Sequence, residues 1–197
     1  MSDFIWVEKY RPTTIDECIL PKSIKQTFQD FVDRGEIPNM LLSGPPGIGK
    51  TTVAKALCNQ LGADYYVING SDEGRFLDTV RTNAKNFAST VSLTSESKHK
   101  VIIIDEADNT TSDVQLLLRA SIEEFSKNCR FIFTCNYKNK IIEPLHSRCS
   151  VVDFSINKKD KPTIAAQFFS RLTYILEEEK VDTCLLYTSP SPRDMTG

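Results

Sequence analysis

Short, uninterrupted apolar runs alternate along this chain with stretches of helical period. The runs are Met40 to Leu42, Tyr65 to Ile68, Val101 to Ile104, Phe131 to Phe133 and Val151 to Phe154. A strand with one wet face alternates apolar with polar residues, whereas a continuously apolar strand is covered on both faces. These runs therefore predict a parallel sheet between layers of helices. Across Asp113 to Phe125, the residues Val114, Leu118, Ile122 and Phe125 recur at spacings of three and four, the stripe that a helix lying on a sheet needs. The polar string from Ser89 to Lys100 reads as a loop before the third strand. The expected class is α/β, a five-stranded parallel sheet flanked by helices. After Phe154, residues Asn157 to Lys161 read as a linker, and Pro162 suits the first turn of a new helix. That helix carries Ile164, Phe168, Leu172, Ile175 and Leu176 as an apolar stripe before Glu177, Glu178 and Glu179. Partners for the stripe are not evident in the sequence, so a second, helical domain is expected to start here and to be truncated. No internal repeat is visible.

Composition narrows the picture. The chain has 197 residues, 40% of them apolar, enough for one full core and the beginning of another unit. A formal net charge of -2 supplies no global positive field, so any contact with nucleic acid must be local. The cysteines Cys18, Cys58, Cys129, Cys135, Cys149 and Cys184 form no CxxC pair, and His99 and His146 are the only histidines, which argues against a structural zinc site. No apolar run approaches the ~18 residues of a membrane span, and the amino terminus carries no signal-sequence pattern. A soluble, cytoplasmic protein with reduced thiols is expected. From Cys184 the composition changes to CLLYTSPSPRDMTG, which resembles the conceptual translation of a sequencing adapter. The expected division is thus residues 1–156, a truncated helical segment over 157–183, and a non-native tail over 184–197.

Directly after the first apolar run stands GPPGIGKT, Gly44 to Thr51, followed by the helical stretch TVAKALCNQL. This is the phosphate-loop pattern in its required context, strand before and helix after. Glycines let backbone N–H groups curl around a β-phosphate, and the helix start adds its partial positive charge. Gly47, Ile48 and Gly49 supply that cradle. Lys50 is placed to reach the β- and γ-phosphates, Thr51 to put a hydroxyl on Mg²⁺, and Thr52 to approach the α-phosphate of ATP. Further along, VIIIDEAD is a buried strand ending in two acids. Asp105 is assigned to the metal and Glu106 to the general base that activates water.

With these motifs in place, the sequence resembles the ATPase subunits of sliding-clamp loaders, an AAA+ P-loop family that includes replication factor C and the large clamp-loader subunit of T-even-type phages. The resemblance covers Trp6 to Phe154. WVEKYRP is similar to the family's amino-terminal signature, which implies nucleotide contacts from Val7, Glu8, Lys9 and Tyr10, and Ile19 matches a further adenine-pocket position. Asn136, closing RFIFTCN, matches the first sensor, which orients the attacking water or reads the γ-phosphate. Ser147, Arg148 and Cys149 match the SRC motif, implying that Arg148 is an arginine finger for the ATP site of a neighbouring subunit. Arg119 matches a lesser arginine on the subunit-facing helix. The segment Asn69 to Ser89 resembles the helix that tracks DNA, with Arg75, Arg81 and Lys85 as phosphate contacts. The resemblance further implies that Asn69 or Arg75 holds Glu106 inactive until DNA enters. A second sensor arginine and a carboxy-terminal collar have no counterpart here.

The implied function is ATP hydrolysis in a hetero-oligomeric ring that opens a sliding clamp and loads it at primer-template DNA during phage replication, in the host cytoplasm. The implied cofactors are ATP and Mg²⁺, and no membrane is involved. A branch-migration helicase or an origin-loading ATPase is the alternative, and a non-hydrolysing structural subunit is a third reading. WVEKYRP together with SRC favours the loader.

Overall fold

The computed structural model describes residues 6–71, 82, 85–89 and 100–181. Contacts divide the chain into two units, one of Arg11–Asn157 and one of Met1–Tyr10 with Lys158–Gly197. The first unit is built on an all-parallel sheet of β1 (Met40–Ser43), β2 (Tyr65–Asn69), β3 (Lys100–Asp105), β4 (Cys129–Cys135) and β5 (Ser150–Asp153), in the order β2-β3-β4-β1-β5. Each strand sits on one of the apolar runs. β4 extends past its run at both ends, because ladder partners as well as apolarity fix where a strand stops. Lys100, expected in the preceding loop, opens β3 and is buried.

The helices are α1 (Trp6–Lys9), α2 (Lys22–Arg34), α3 (Lys50–Gln60), α4 (Lys85–Ser89), α5 (Ser112–Glu124), α6 (Glu143–His146) and α7 (Lys161–Glu178). Successive side chains of a strand point to opposite faces, so a continuous apolar run feeds two cores at once. On one face Met40, Leu42, Val101, Ile103 and Ile132 pack with Ile24 and Phe28 of α2 and with Val53, Ala54 and Leu57 of α3. On the other, Leu41, Ile102, Ile104, Phe131 and Phe133 pack with Val114, Leu118 and Ile122 of α5. Thr111 caps α5 by accepting the Val114 N–H. Phe125, expected inside that helix, is its C-cap residue and still packs against the same face. Among the described residues, no helix is long and apolar enough to cross a membrane.

The second unit contains α1 and α7. The stripe expected on α7 is only partly inward: Leu176 is buried, Ile164, Leu172 and Ile175 are half-buried, and Phe168 is 54% exposed. Glu179 at the end of α7 accepts hydrogen bonds from Lys9 Nζ at 2.6 Å and Tyr10 Oη at 2.7 Å. Tyr10 also meets Tyr174 edge to face and takes a bond from Arg171 Nη2 on its carbonyl. Residues 6–10, expected with the first unit, therefore group with α7 and give it packing partners that its own sequence does not reveal.

The chain leaves β1 for the far edge of the sheet, returns through β3 and β4, and then passes to β5 on the other side of β1. In open α/β sheets the crevice outside the carboxyl ends of the strands, at such a reversal, is where ligands bind. The order brings the ends of β1, β3 and β4 side by side there. The core that supports them is testable at Phe28, which is fully buried with its ring against Phe31 and Phe154. Phe28→Ala is expected to cost about 3–5 kcal/mol, read as a lower urea midpoint at an unchanged slope.

Candidate active site

Past β1 the backbone turns left-handed at Gly47 (φ 75°) and Gly49 (φ 88°). Nothing lies within 4 Å of an ideal Cβ at either position, so the backbone conformation rather than crowding calls for glycine. Gly49 is the N-cap of α3 and offers no side chain to the helix. The first N–H groups of α3 are thus left for an anion. Gly47, Gly49, Lys50, Thr51, Thr52, Asp105, Glu106, Thr134 and Asn136 line one cleft. Ile48 instead packs its side chain on the α2–α3 core, so only its backbone can serve a phosphate.

Lys50 is 8% exposed. Its ammonium donates to Gly44 O at 2.7 Å, Pro45 O at 2.8 Å and Asn136 Oδ1 at 2.9 Å. Three protons meet three acceptors, which is full satisfaction for a lysine. All three partners are short of a full negative charge, and burial holds the ammonium below its ordinary lysine value. A phosphate oxygen would bind it more strongly, through charge assistance.

Asp105 ends β3. Ile104 is level with Phe133 in the parallel ladder, which sets Thr134 beside Asp105. Thr51 Oγ1 donates to Asp105 Oδ1 at 2.6 Å and Thr134 Oγ1 to the same oxygen at 2.5 Å. A hydroxyl that gives its proton to a carboxylate keeps lone pairs free, and an all-oxygen set of few protein ligands suits Mg²⁺, which retains waters and phosphate oxygens. The residues present therefore fit a nucleotide-bound magnesium ion held at Thr51 and Asp105.

Glu106 adopts φ 54°, a left-handed conformation in a non-glycine residue of the kind that clusters at functional turns. Its N–H donates to Thr134 Oγ1 at 3.0 Å. Its Oε2 accepts from the Ser71 hydroxyl and from Asn109 Nδ2. Asn69 is level with Asp105 across the ladder, and its Oδ1 takes the Ser71 N–H at 3.0 Å. Among the described residues, then, the group from the β2 exit that reaches Glu106 is Ser71, two residues beyond Asn69. Gly70 makes that approach possible: its N–H donates to Asp105 O at 2.7 Å, and an ideal Cβ there would lie 2.6 Å from Glu106 O.

Asn136, just past β4, faces the cleft beside Lys50. Arg148 lies elsewhere, with Nε and Nη2 on Glu123 Oε1 at 2.9 and 2.6 Å and Nη1 on Pro144 O. Arg119 shares Glu123 at 3.7 Å. Lys85 pairs with Glu124 at 3.3 Å, and an exposed pair of this kind contributes little. Arg75 and Arg81 lie outside the described residues. Ile19 is half-buried and is not among the cleft-lining residues. Val7, Glu8, Lys9 and Tyr10 belong to the second unit. There Val7 is 70% exposed, while Glu179 pushes the Lys9 ammonium and Tyr10 phenol above their ordinary values.

Sequence reasoning did not single out Ser71, Thr134, Asn109, Asp108 or Gln115. Thr134 carried a signal, as a hydroxyl inside an otherwise buried strand. So did Gln115, a polar residue that the α5 period turns inward. It is 1% exposed and binds Thr110 O, Lys140 O and the Ile142 N–H.

Arg148 holds the Glu123 carboxyl below the ordinary value of 4.5. A depressed folded value means that the link is fully present above pH 4.5 and is lost as pH falls through the lowered value. Carboxyl NMR should show Glu123 titrating below 4.5 and Arg148→Ala moving it up toward that value, with Arg119 still beside it.

Against known proteins, the family described as "ATPase family associated with various cellular activities (AAA)" matches residues 40–157. The chain is 42% identical over 194 residues to the replication factor C small subunit of Methanocella arvoryzae, covering 95% of this chain and 59% of that protein. It is 44% identical over 184 residues to the sliding-clamp-loader large subunit of Escherichia phage RB69, covering 92% and 56%. The chain thus spans little more than half the length of these relatives. Among solved structures, the Thermotoga maritima RuvB Holliday junction branch migration motor superposes with a TM-score of 0.61 at 24% identity, over 83% of this chain and 55% of that one, a likeness of fold.

Proposed function

This chain belongs to the AAA family of ATPases, and from that premise we propose that its cleft binds and hydrolyses ATP within a subunit of a sliding-clamp loader. The observation that carries the reading is the meeting of Lys50, Thr51, Asp105, Glu106 and Asn136 in one crevice. The likeness to replication factor C and phage clamp-loader subunits supports the process, loading a clamp at primer-template DNA during replication. The proposed partners are companion subunits of a hetero-oligomeric ring, the clamp and the DNA. The proposed setting is the host cytoplasm of a phage infection.

In the proposed reaction, backbone N–H groups from Gly47 to Thr52 cradle the β-phosphate, with Thr52 toward the α-phosphate. Lys50 exchanges the Gly44 and Pro45 carbonyls for β- and γ-phosphate oxygens and keeps Asn136 Oδ1. Magnesium, when bound, neutralises charge building on the transferring phosphoryl group. Glu106, once Ser71 has left its Oε2, takes a proton from the attacking water. Asn136 positions that water or the γ-phosphate with its amide N–H groups, its Oδ1 being turned to Lys50. Arg148 serves the neighbouring subunit's ATP after leaving Glu123. Val7, Glu8, Lys9, Tyr10 and Ile19 hold the adenine, and Arg75, Arg81 and Lys85 hold DNA phosphates without reading sequence. DNA entry withdraws Ser71 from Glu106. The domain reading is an ATPase domain followed by the start of a helical lid.

ATPase assays with a phage sliding clamp and primed DNA test the proposal. Turnover indifferent to both would sink the loader reading, and branch migration without a clamp would favour the helicase. Lys50→Ala is expected to abolish nucleotide binding. Glu106→Gln should retain binding while turnover falls about 10²–10⁴-fold, and Ser71→Ala should raise turnover in the absence of DNA.

A further inference from the structure

β4 stops at Cys135, so the N–H groups of the next two residues lose their ladder partners. They are taken by one side chain. Asp108 Oδ2 accepts the Asn136 N–H at 3.2 Å and the Tyr137 N–H at 3.1 Å. Asp108 is 6% exposed, and its other oxygen, Oδ1, is buried with no hydrogen-bond partner among the described residues. A buried carboxylate kept on two backbone donors, with an oxygen left over, is costly. Costly polar arrangements that persist usually fix a geometry that something else needs.

That geometry is the heading of the chain as it leaves β4, which aims the Asn136 side chain at Lys50. Asp108 stands in the 3-10 turn Ala107–Asn109, directly after Glu106. The same turn is fastened to β4 a second time, by the Glu106 N–H on Thr134 Oγ1. The turn that carries the base and the residue that faces the γ-phosphate are thereby tied at two points. The Asp108 charge also acts on both neighbours, favouring the charged ammonium of Lys50 and opposing ionisation of Cys135.

We propose that Asp108 is a positioning residue that locks the Asn136 sensor to the Glu106-bearing turn, so that recognition of the γ-phosphate and placement of the base are set together. This rests on the ATPase reading of the cleft. Asp108 touches no nucleotide in this scheme and fixes Asn136 through the backbone N–H groups of Asn136 and Tyr137.

The test measures binding of fluorescent ATP and ADP, with magnesium, to the whole chain and its variants. Asn136→Ala should weaken ATP about tenfold, the scale of one hydrogen bond to a charged group, and should leave ADP nearly unchanged. Asp108→Ala should reproduce that selective loss. The double variant should be no weaker than either single one, because two residues that act through one contact do not add. Asp108→Asn keeps a carbonyl acceptor for both N–H groups and should restore discrimination, which also covers the case in which Asp108→Ala fails to fold. Equal loss of ATP and ADP, or losses that multiply in the double variant, would leave Asp108 a purely structural residue and overturn the proposal. Failure of the unsubstituted chain to bind either nucleotide would instead overturn the ATPase reading and this inference with it.

Discussion

A buried positive charge must be given acceptors or lose its proton, and the ammonium of Lys50 imposes that condition on everything around it. Its three acceptors come from the loop after β1 and from the residue after β4. The loop must turn left-handed to present those carbonyls, hence its glycines. The end of β4 must be held at a fixed heading to present Asn136, hence Asp108. In a parallel sheet every strand ends on the same side, so such a meeting of strand ends is available without long excursions. The fold and the site are in this sense one requirement.

Around that charge, polar groups are shared closely. Thr134 gives its proton to Asp105 and takes the N–H of Glu106, so a single hydroxyl orders two acidic residues of different duty. Ser71 and Asn109 both hold Oε2 of Glu106. Glu123 holds Arg148 and lies near Arg119. In each case the charged group is occupied by a neutral or opposite partner from its own chain.

The strands β1, β3 and β4 were legible because both of their faces are buried, and VIIID and MLLS need no tertiary information to be read as covered; β2 and β5, at the two ends of the strand order, are covered only in part, with Val151 44% exposed. The phosphate loop and the paired acids were legible because their chemistry demands particular residues at fixed spacing. The hold on Glu106 was not, since whether Asn69 or Ser71 reaches it depends on the register of β2 against β3 and on the close approach at Gly70, neither of which is local. The partners of α7 were hidden for a similar reason, lying at the opposite end of the chain as Lys9 and Tyr10. Phe168 stays exposed, as part of a stripe for which the sequence showed no partner. Asp108 lay in plain view within DEAD, but nothing in the sequence says that two N–H groups just past the end of β4 would need it.

The sheet order has a kinetic side. β1 is the first strand to be made, yet both of its neighbours come from much later in the chain: Met40 pairs with Ile132 and with Ser150. On a ribosome, β2 and β3 can pair soon after they emerge, while β1 waits as a four-residue, mainly apolar edge, with the phosphate loop behind it, until β4 arrives. Such non-local closure is slow, and an unpaired apolar strand is exposed to wrong partners for that interval. The phosphate site is therefore completed only when β4 arrives, and a nascent chain that holds nucleotide has already passed that step.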